Sequence, residues 1–222
     1  MIDIHSHIKR PIQGQKIFNV LTINDFPKDK GLLFSVGMHP WYLQPLLWNN
    51  DFNAFEAVIA QDDVIAIGEC GLDWSTVAKQ DMQKVVFSKH LHWAEKFDKP
   101  LIIHCVKAFN ELMAMCKKAN LKQACIVHGF NNNLKIADQL IKAGFYLSYG
   151  KALLEANSNA AQAIKITPLE KIFLETDDSD ISIEAVYERA GALLAINSDT
   201  LNQQIEDNFE KVFNLNNRNV NT

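Results

Sequence analysis

Arginine is the scarcest charged residue in this chain. Only three occur among 222 residues, Arg10, Arg189 and Arg218, so planar forks for bidentate phosphate recognition must be few. An excess of positive charge is also missing, the formal net charge being -4. That excludes a strongly basic coat for nucleic acid, though not a local basic patch. No apolar run approaches the roughly 20 residues needed to cross a bilayer. The longest, Ala190 to Ile196, sits inside a helical pattern, and no membrane partner is expected. Cys-x-x-Cys spacing is absent from Cys70, Cys105, Cys116 and Cys125. The opening Met-Ile-Asp-Ile-His carries neither a basic start nor a cleavage site. The expectation is a cytoplasmic protein with reduced thiols. Low-complexity segments and strong repeats are missing too.

What is present is a globular balance, 48% hydrophobic and 22% charged, enough for a sizeable core. Short Ile- and Val-rich runs alternate with longer segments of helical period. The strand candidates are Ile2–His5, Lys16–Thr22, Leu32–Val36, Val64–Gly68, Leu101–Cys105, Ala124–His128, Phe145–Tyr149 and Ile172–Thr176. Several are continuously apolar, as strands covered on both faces are. Helical spacing falls at Asp51–Gln61, Lys79–Phe97, Phe109–Ala119, Leu134–Ala143, Leu153–Ile166, Ile183–Ile196 and Thr200–Phe213. The alternation predicts an α/β fold, a distorted TIM-like (β/α) barrel. It would form a single domain over residues 1–222, with a frayed tail over 214–222. About nine residues separate the first strand from the second, and the second from the third, where a parallel crossover usually takes a dozen or more. The second strand is therefore expected to run antiparallel or to mark an irregular part of the barrel.

Polar residues cluster at the strand ends. The first strand ends in His5-Ser6-His7, the fourth in Gly68-Glu69, the fifth in His104, the sixth in His128 and the eighth in Glu175-Thr176-Asp177. Barrel enzymes place their active sites at the C-terminal ends of their strands. Side chains alternate along a strand, so His5 and His7 share a face and can chelate one ion. His90 and His92 have the same spacing on a helix, where they point apart, and they read as surface or packing residues. Four histidines and two carboxylates exceed the needs of one ion. His5, His7, Glu69, His104, His128 and Asp177 fit two divalent ions, with Glu69 bridging. Such a pair would lower the pKa of a bound water and stabilise a leaving oxygen. Glu69 and Asp177 are the candidate catalytic carboxylates, Asp177 as proton acceptor. Asp3 and Glu175 alternate with these ligands and are expected to support the ligand histidines from behind.

The ordered set of motifs resembles the TatD-like metal-dependent deoxyribonuclease family of the amidohydrolase superfamily. The matching pieces are Asp3-Ile4-His5-Ser6-His7, Gly37-Met38-His39-Pro40, Ile67-Gly68-Glu69-Cys70-Gly71-Leu72-Asp73, Pro100-Leu101-Ile102-Ile103-His104, Val127-His128-Gly129-Phe130 and Leu174-Glu175-Thr176-Asp177, with an echo at Asn208-Phe209. The resemblance implies hydrolysis of phosphodiester bonds in DNA, often from the 3′ end, with the six ligands above holding two metal ions. The metal is left open among Zn, Mn and Mg. The resemblance also places His39 beside the substrate, where Asp73 and Lys107 join it as candidate binding residues.

The chain departs from the family pattern around the mouth. His104-Cys105-Val106-Lys107 lacks the usual arginine, Asn131-Asn132-Asn133 replaces a Ser-Gly stretch, Asp178-Ser179-Asp180 follows Asp177, and Ile8 to Gly31 is short. Lys9, Arg10, Lys107 and Lys151 read equally as phosphate contacts and as solvated loop charge. Trp41, Tyr42, Trp48 and Trp74 are expected to plug the rim rather than to stack on bases. Cys70 and Cys105 read as packing thiols. The leading reading is a phosphodiesterase acting on single-stranded DNA. Its rivals are a deacylase of a small molecule or aminoacyl conjugate and a non-enzymatic subunit of a complex.

Overall fold

The computed structural model describes residues 1–8, 14–20, 23, 26–27, 31–43 and 48–214, without the side chains of residues 48–51. Lys9, Arg10, the Trp48 side chain and residues 215–222 of the expected tail lie outside the described residues.

Eight strands form one sheet in sequence order, every neighbouring pair parallel. They are β1 Ile2–Ser6, β2 Gln15–Val20, β3 Leu33–Val36, β4 Val64–Asp73, β5 Leu101–Val106, β6 Cys125–Val127, β7 Tyr146–Tyr149 and β8 Ile172–Leu174. The sheet closes on itself through a parallel bridge between Ser6 and Asp177. There His7 N–H donates to Asp177 O at 3.0 Å and Asp177 N–H to His5 O at 2.9 Å. The TIM-like barrel expected from the alternation is therefore present.

Of the two alternatives for the second strand, the antiparallel one is corrected, since β2 runs parallel to both neighbours, and the irregular one is found, since the β1–β2 register shifts between Asp3 and Ser6. Residues 7–14 join β1 to β2. A parallel return must travel back over a strand of five residues, and at ~3.3 Å per residue an extended connection of this length reaches about 26 Å against the strand's ~17 Å. A connection of this length can therefore make the return without needing a helix.

The helices are α1 Trp48–Ile59, α2 Gln80–Phe97, α3 Phe109–Ala119, α4 Leu134–Lys142, α5 Asn159–Ala163, α6 Ile183–Leu194 and α7 Ser198–Phe213. In α2 the residues Val86, Phe87, Leu91, Trp93 and Ala94 are buried on one stripe against the sheet. The helix stops at Asp98, which is left-handed (φ 49), ahead of Lys99-Pro100. The single helix expected over 153–166 is broken. A 3-10 turn over Lys151–Leu154 precedes the short α5, and another over Ile164–Ile166 follows it. Asn157-Ser158 supplies the break, because Ser158 Oγ accepts from Ala161 N–H at 3.0 Å and donates to Ala152 O at 2.6 Å. Tyr187 on α6 ties to both backbone groups of Ile2 at 3.0 and 3.1 Å. Asn208, the motif echo on α7, donates to Leu169 O and Ile172 O at 2.8 and 2.9 Å. It fastens the last helix to β8, away from the rim. Among the described residues no helix is long and apolar enough to cross a membrane.

Candidate metal centre

Glu69 lies within β4, between two glycines that let the strand press on its neighbours. A Cβ on Gly68 would meet the backbone oxygen of Ile102, and one on Gly71 (φ 137) the backbone oxygen of His104. The β4–β5 register shifts between Ile67 and Cys70, a local irregularity of the kind that re-aims a side chain. Asn19 of β2, buried in an otherwise apolar run, accepts from Glu69 N–H through Oδ1 at 2.6 Å and from Ser35 Oγ at 3.1 Å. The Glu69 backbone is thus fixed from across the sheet.

The carboxylate of Glu69 faces two separate groups of donors. Its Oε2 lies 3.4 Å from His5 Nε2 and 3.3 Å from His7 Nε2. Each of these nitrogens is also 3.4 Å from Asp177 Oδ1. Its Oε1 lies 3.0 Å from His104 Nδ1, 2.8 Å from His128 Nε2 and 2.9 Å from His39 Nε2. All six expected ligands, from five strand ends or their continuations, therefore meet around one carboxylate. Asp177 is aimed inward from a left-handed backbone (φ 54), a conformation aspartate tolerates better than most residues.

Outer partners orient the rings of His104, His128 and His39. His104 Nε2 lies 3.0 Å from Asp73 Oδ2, an outer partner that can hold a proton there and free the inward Nδ1 for a metal. His128 Nδ1 lies 3.4 Å from Glu175 Oε1, with its Nε2 turned inward to Glu69. Glu175 also accepts from Gly129 N–H at 2.7 Å and from the Ser148 hydroxyl. His39 differs. Its Nδ1 accepts from Trp41 N–H at 3.1 Å, so the ring proton sits on Nε2 and donates to Glu69. As it stands, His39 is a hydrogen-bond donor beside the cluster.

Three expectations for the surrounding residues change. Asp73 is buried. Its carboxylate is taken up by His104, by Trp41 Nε1 at 2.6 Å and by Ser75 N–H at 2.8 Å, so it orients His104 and is not placed to bind substrate. Gln83 of α2 secures it, donating to Asp73 O and accepting from Asp73 N–H, both at 2.7 Å. Asp3 turns from the histidines to Thr176, accepting from its N–H at 3.0 Å and its hydroxyl at 2.7 Å, and pairs with Lys16 Nζ at 3.2 Å. Buried Lys16 offers it a charge that no neutral imidazole matches. Lys107, left-handed at φ 57, is exposed and outside the lining of the cleft, as is Lys151.

Burial and the nearby His128 ring both oppose a proton on His5, yet the Asp177 and Glu69 carboxylates hold its pKa up at about 9. Burial alone would raise the Glu69 carboxyl, but His128, His104 and His39 hold it well below the usual range. Burial also works against the Asp177 anion, and His5 holds it at about 2. The cluster thus calls for positive charge at its centre. His5 carries the clearest sign of what supplies it, because it is fully buried and neither ring nitrogen has a hydrogen-bond partner. Two ligand atoms ~2.1 Å from one tetrahedral ion stand ~3.4 Å apart. That is the spacing found around His5, His7, Asp177 and Glu69 Oε2. The residues present fit a divalent metal.

The cluster opens into a cleft of about 420 Å³ whose lining includes His7, His39, Trp41, Tyr42, His128 and Asp178. A larger groove of about 1110 Å³, lined in part by Lys122, Gly144 and Lys211, lies at the opposite end of the barrel and holds none of the converging donors. Asn131-Asn132-Asn133 serve the backbone. Asn131 caps Ala160 N–H at 3.0 Å, Asn132 accepts from Asn133 N–H at 2.7 Å and Asn133 caps Ile136 N–H at 3.0 Å. Trp74 packs on the core, but Trp41 and Tyr42 remain exposed, against the expectation that they plug the rim. Cys70 is fully buried, and burial pushes the Cys105 thiol up to about 12, as expected of packing thiols. His90 is buried, and His92 on the same helix is exposed.

A closed parallel barrel with imidazoles and carboxylates converging on its C-terminal rim defines the class of TIM-like barrels able to hold divalent metal. Within that class the chain belongs to the TatD related DNase family, whose pattern it matches over residues 14–214. It is 30% identical over 156 residues to the deoxyribonuclease Tat-D of Schizosaccharomyces pombe, covering 64% of this chain and 50% of the yeast protein. It is 29% identical over 157 residues to an uncharacterized metal-dependent hydrolase of Buchnera aphidicola, covering 69% of this chain and 58% of that protein. The chain thus spans little more than half the length of these relatives. In fold it is similar to YJJV, a TatD homolog from Escherichia coli, with a TM-score of 0.83 and 21% identity over 96% of this chain and 97% of that one.

Proposed function

We propose that this chain is a metal-dependent phosphodiesterase that shortens single-stranded or frayed DNA from the 3′ end. The observation that carries the reading is the division of Glu69, one oxygen facing His5, His7 and Asp177 and the other facing His104 and His128. One divalent ion would be held by the first group with Oε2 and a second by the other group with Oε1. Zn, Mn and Mg all suit such nitrogen and oxygen donors. Ions held there supply a water of lowered pKa and positive charge against a departing oxygen. Asp177, half-buried at the cleft and ionised at neutral pH, accepts the proton of the attacking water. Asp73 and Glu175 hold the outer nitrogens of His104 and His128, so that their inward nitrogens face Glu69, where the ions would sit. His39, with its Nε2 proton on Glu69, lines the cleft where the scissile group enters.

A second reading, hydrolysis of an acyl bond in a small molecule, draws on one observation. Among the described residues no lysine or arginine lines the cleft. A gel assay on end-labelled single-stranded DNA decides between them, with Mg or Mn added, EDTA as control, and Glu69→Ala alongside. The expected result is metal-dependent shortening of the strand, abolished in the variant. Cleavage surviving in Glu69→Ala would end the two-ion reading. An intact strand, together with metal-dependent turnover of acyl substrates, would move the function to the second reading.

A further inference from the structure

Two large aromatic side chains stand exposed beside the cluster. Trp41 is 56% and Tyr42 58% exposed, the only aromatics among the exposed large hydrophobics of the described residues. They occupy a 3-10 turn, Pro40–Tyr42, that follows His39 directly. Exposed apolar surface concentrated at a functional cleft marks a binding site more often than an accident of packing.

Trp41 is held in place. Its indole Nε1 donates to Asp73 Oδ2 at 2.6 Å, and its backbone N–H donates to His39 Nδ1 at 3.1 Å. Its ring stands edge-on to His39 and to His104, with centroids 5.0 and 5.7 Å away. The Tyr42 ring lies 5.6 Å from His39. With its one polar atom bound inward, the uncovered part of Trp41 is carbon. The same carboxylate that orients His104 therefore also fixes this ring. The cleft has no lysine or arginine lining it among the described residues, and Asp178 adds a negative charge. Away from the metal centre, the described lining offers an entering strand π surface rather than cations.

We propose that Trp41 and Tyr42 form a stacking platform for one unpaired nucleobase of the strand whose phosphate lies at Glu69. The proposal rests on the phosphodiesterase reading and adds the means of recognising the strand. A base inside a duplex has both faces covered, so the platform admits single-stranded or frayed ends. Every base has a π face, so it reads no sequence.

The test uses the full chain loaded with Mn²⁺ and a fluorescein-labelled thymidylate oligonucleotide with cleavage-resistant phosphorothioate linkages. A matched strand lacks the bases at its unlabelled end. Fluorescence anisotropy gives both affinities. One stacked base contributes roughly a five- to hundredfold tightening, so the base-bearing strand is expected to bind wild type about tenfold more tightly. Trp41→Leu and Tyr42→Ala should shrink that ratio while leaving affinity for the abasic strand unchanged. Trp41→Phe, which keeps a ring but loses the bond to Asp73, should retain most of it. Equal binding of the two strands by wild type, or equal weakening of both in the variants, would overturn the platform and leave the phosphodiesterase reading standing. Failure to bind either strand would overturn both.

Discussion

Buried polar side chains outside the cluster make two claims that can be checked residue by residue. Lys16 and Asp3 are buried and paired at 3.2 Å, and Asp3 also holds the Thr176 backbone. Removing one partner of such a pair leaves a charge with no compensation, which costs about 3–5 kcal/mol. Lys16→Met should therefore lower unfolding stability by that order in urea titrations, and adding Asp3→Asn should restore much of it. If Lys16→Met proves neutral, the pair is not holding β1 and β8 in place. His90 makes the second claim. Its Nε2 accepts from Met38 N–H at 2.9 Å, just before His39, and burial lowers its pKa from 6.5 to about 4. Above pH 6.5 the ring is neutral in both states, while between 6.5 and about 4 only the unfolded chain takes up the proton. Stability contributed by neutral His90 is thus complete above pH 6.5 and lost as the pH falls to about 4, by roughly 3 kcal/mol in all. His90→Gln should flatten the wild-type loss over that window, as read from denaturant midpoints. Equal slopes would refute it.

At the scale of elements, the alternation of apolar and polar residues located all eight strands and most helices, because that period is a local property of the chain. It could not locate the break before α5, where Ala-rich sequence on both sides of Ser158 keeps a helical pattern while its hydroxyl caps a new start. Nor could it assign Asn131 and Asn133, which read as substitutions at a binding mouth and act as caps on α5 and α4. Asn133→Ala should cost about 1 kcal/mol, measurable as a shift in urea midpoint, with DNA cleavage unchanged. A loss of cleavage without loss of stability would return Asn133 to the substrate. Asn19 and Gln83 escaped notice for a similar reason. A single polar residue in an apolar run announces a buried hydrogen bond but not its partner, and here the partners lie on β4.

Over the whole molecule, the converging carboxylates and imidazoles give the barrel rim donors able to hold a cation. Anything that binds the folded state alone stabilises it by about 2.7 kcal/mol at a hundredfold excess over its dissociation constant. For a chain of 222 residues that is a rise of roughly 5–10 °C in the unfolding midpoint. Adding Mn²⁺ to EDTA-stripped protein should produce such a shift in thermal scans, and Glu69→Gln should lose most of it. An unchanged midpoint in wild type would argue that the rim does not hold metal. The opposite face needs no such ligand. The lysines of its larger groove include Lys117 near the end of α3, Lys142 near the end of α4 and Lys211 near the end of α7, where cations offset the negative ends of helix dipoles.

The sequence by itself determined the strand order of donors, His5 and His7 on one face, and a carboxylate able to bridge, because side-chain alternation and donor chemistry are written within a few residues. Only the tertiary structure decided which oxygen of Glu69 meets which histidines, that β2 is parallel, that Asp73 faces His104 and Asp3 faces Lys16, and that Trp41 and Tyr42 stay exposed. Those outcomes depend on closing the sheet between Ser6 and Asp177. These residues stand at opposite ends of the matched motifs, and no local pattern carries the distance across a barrel.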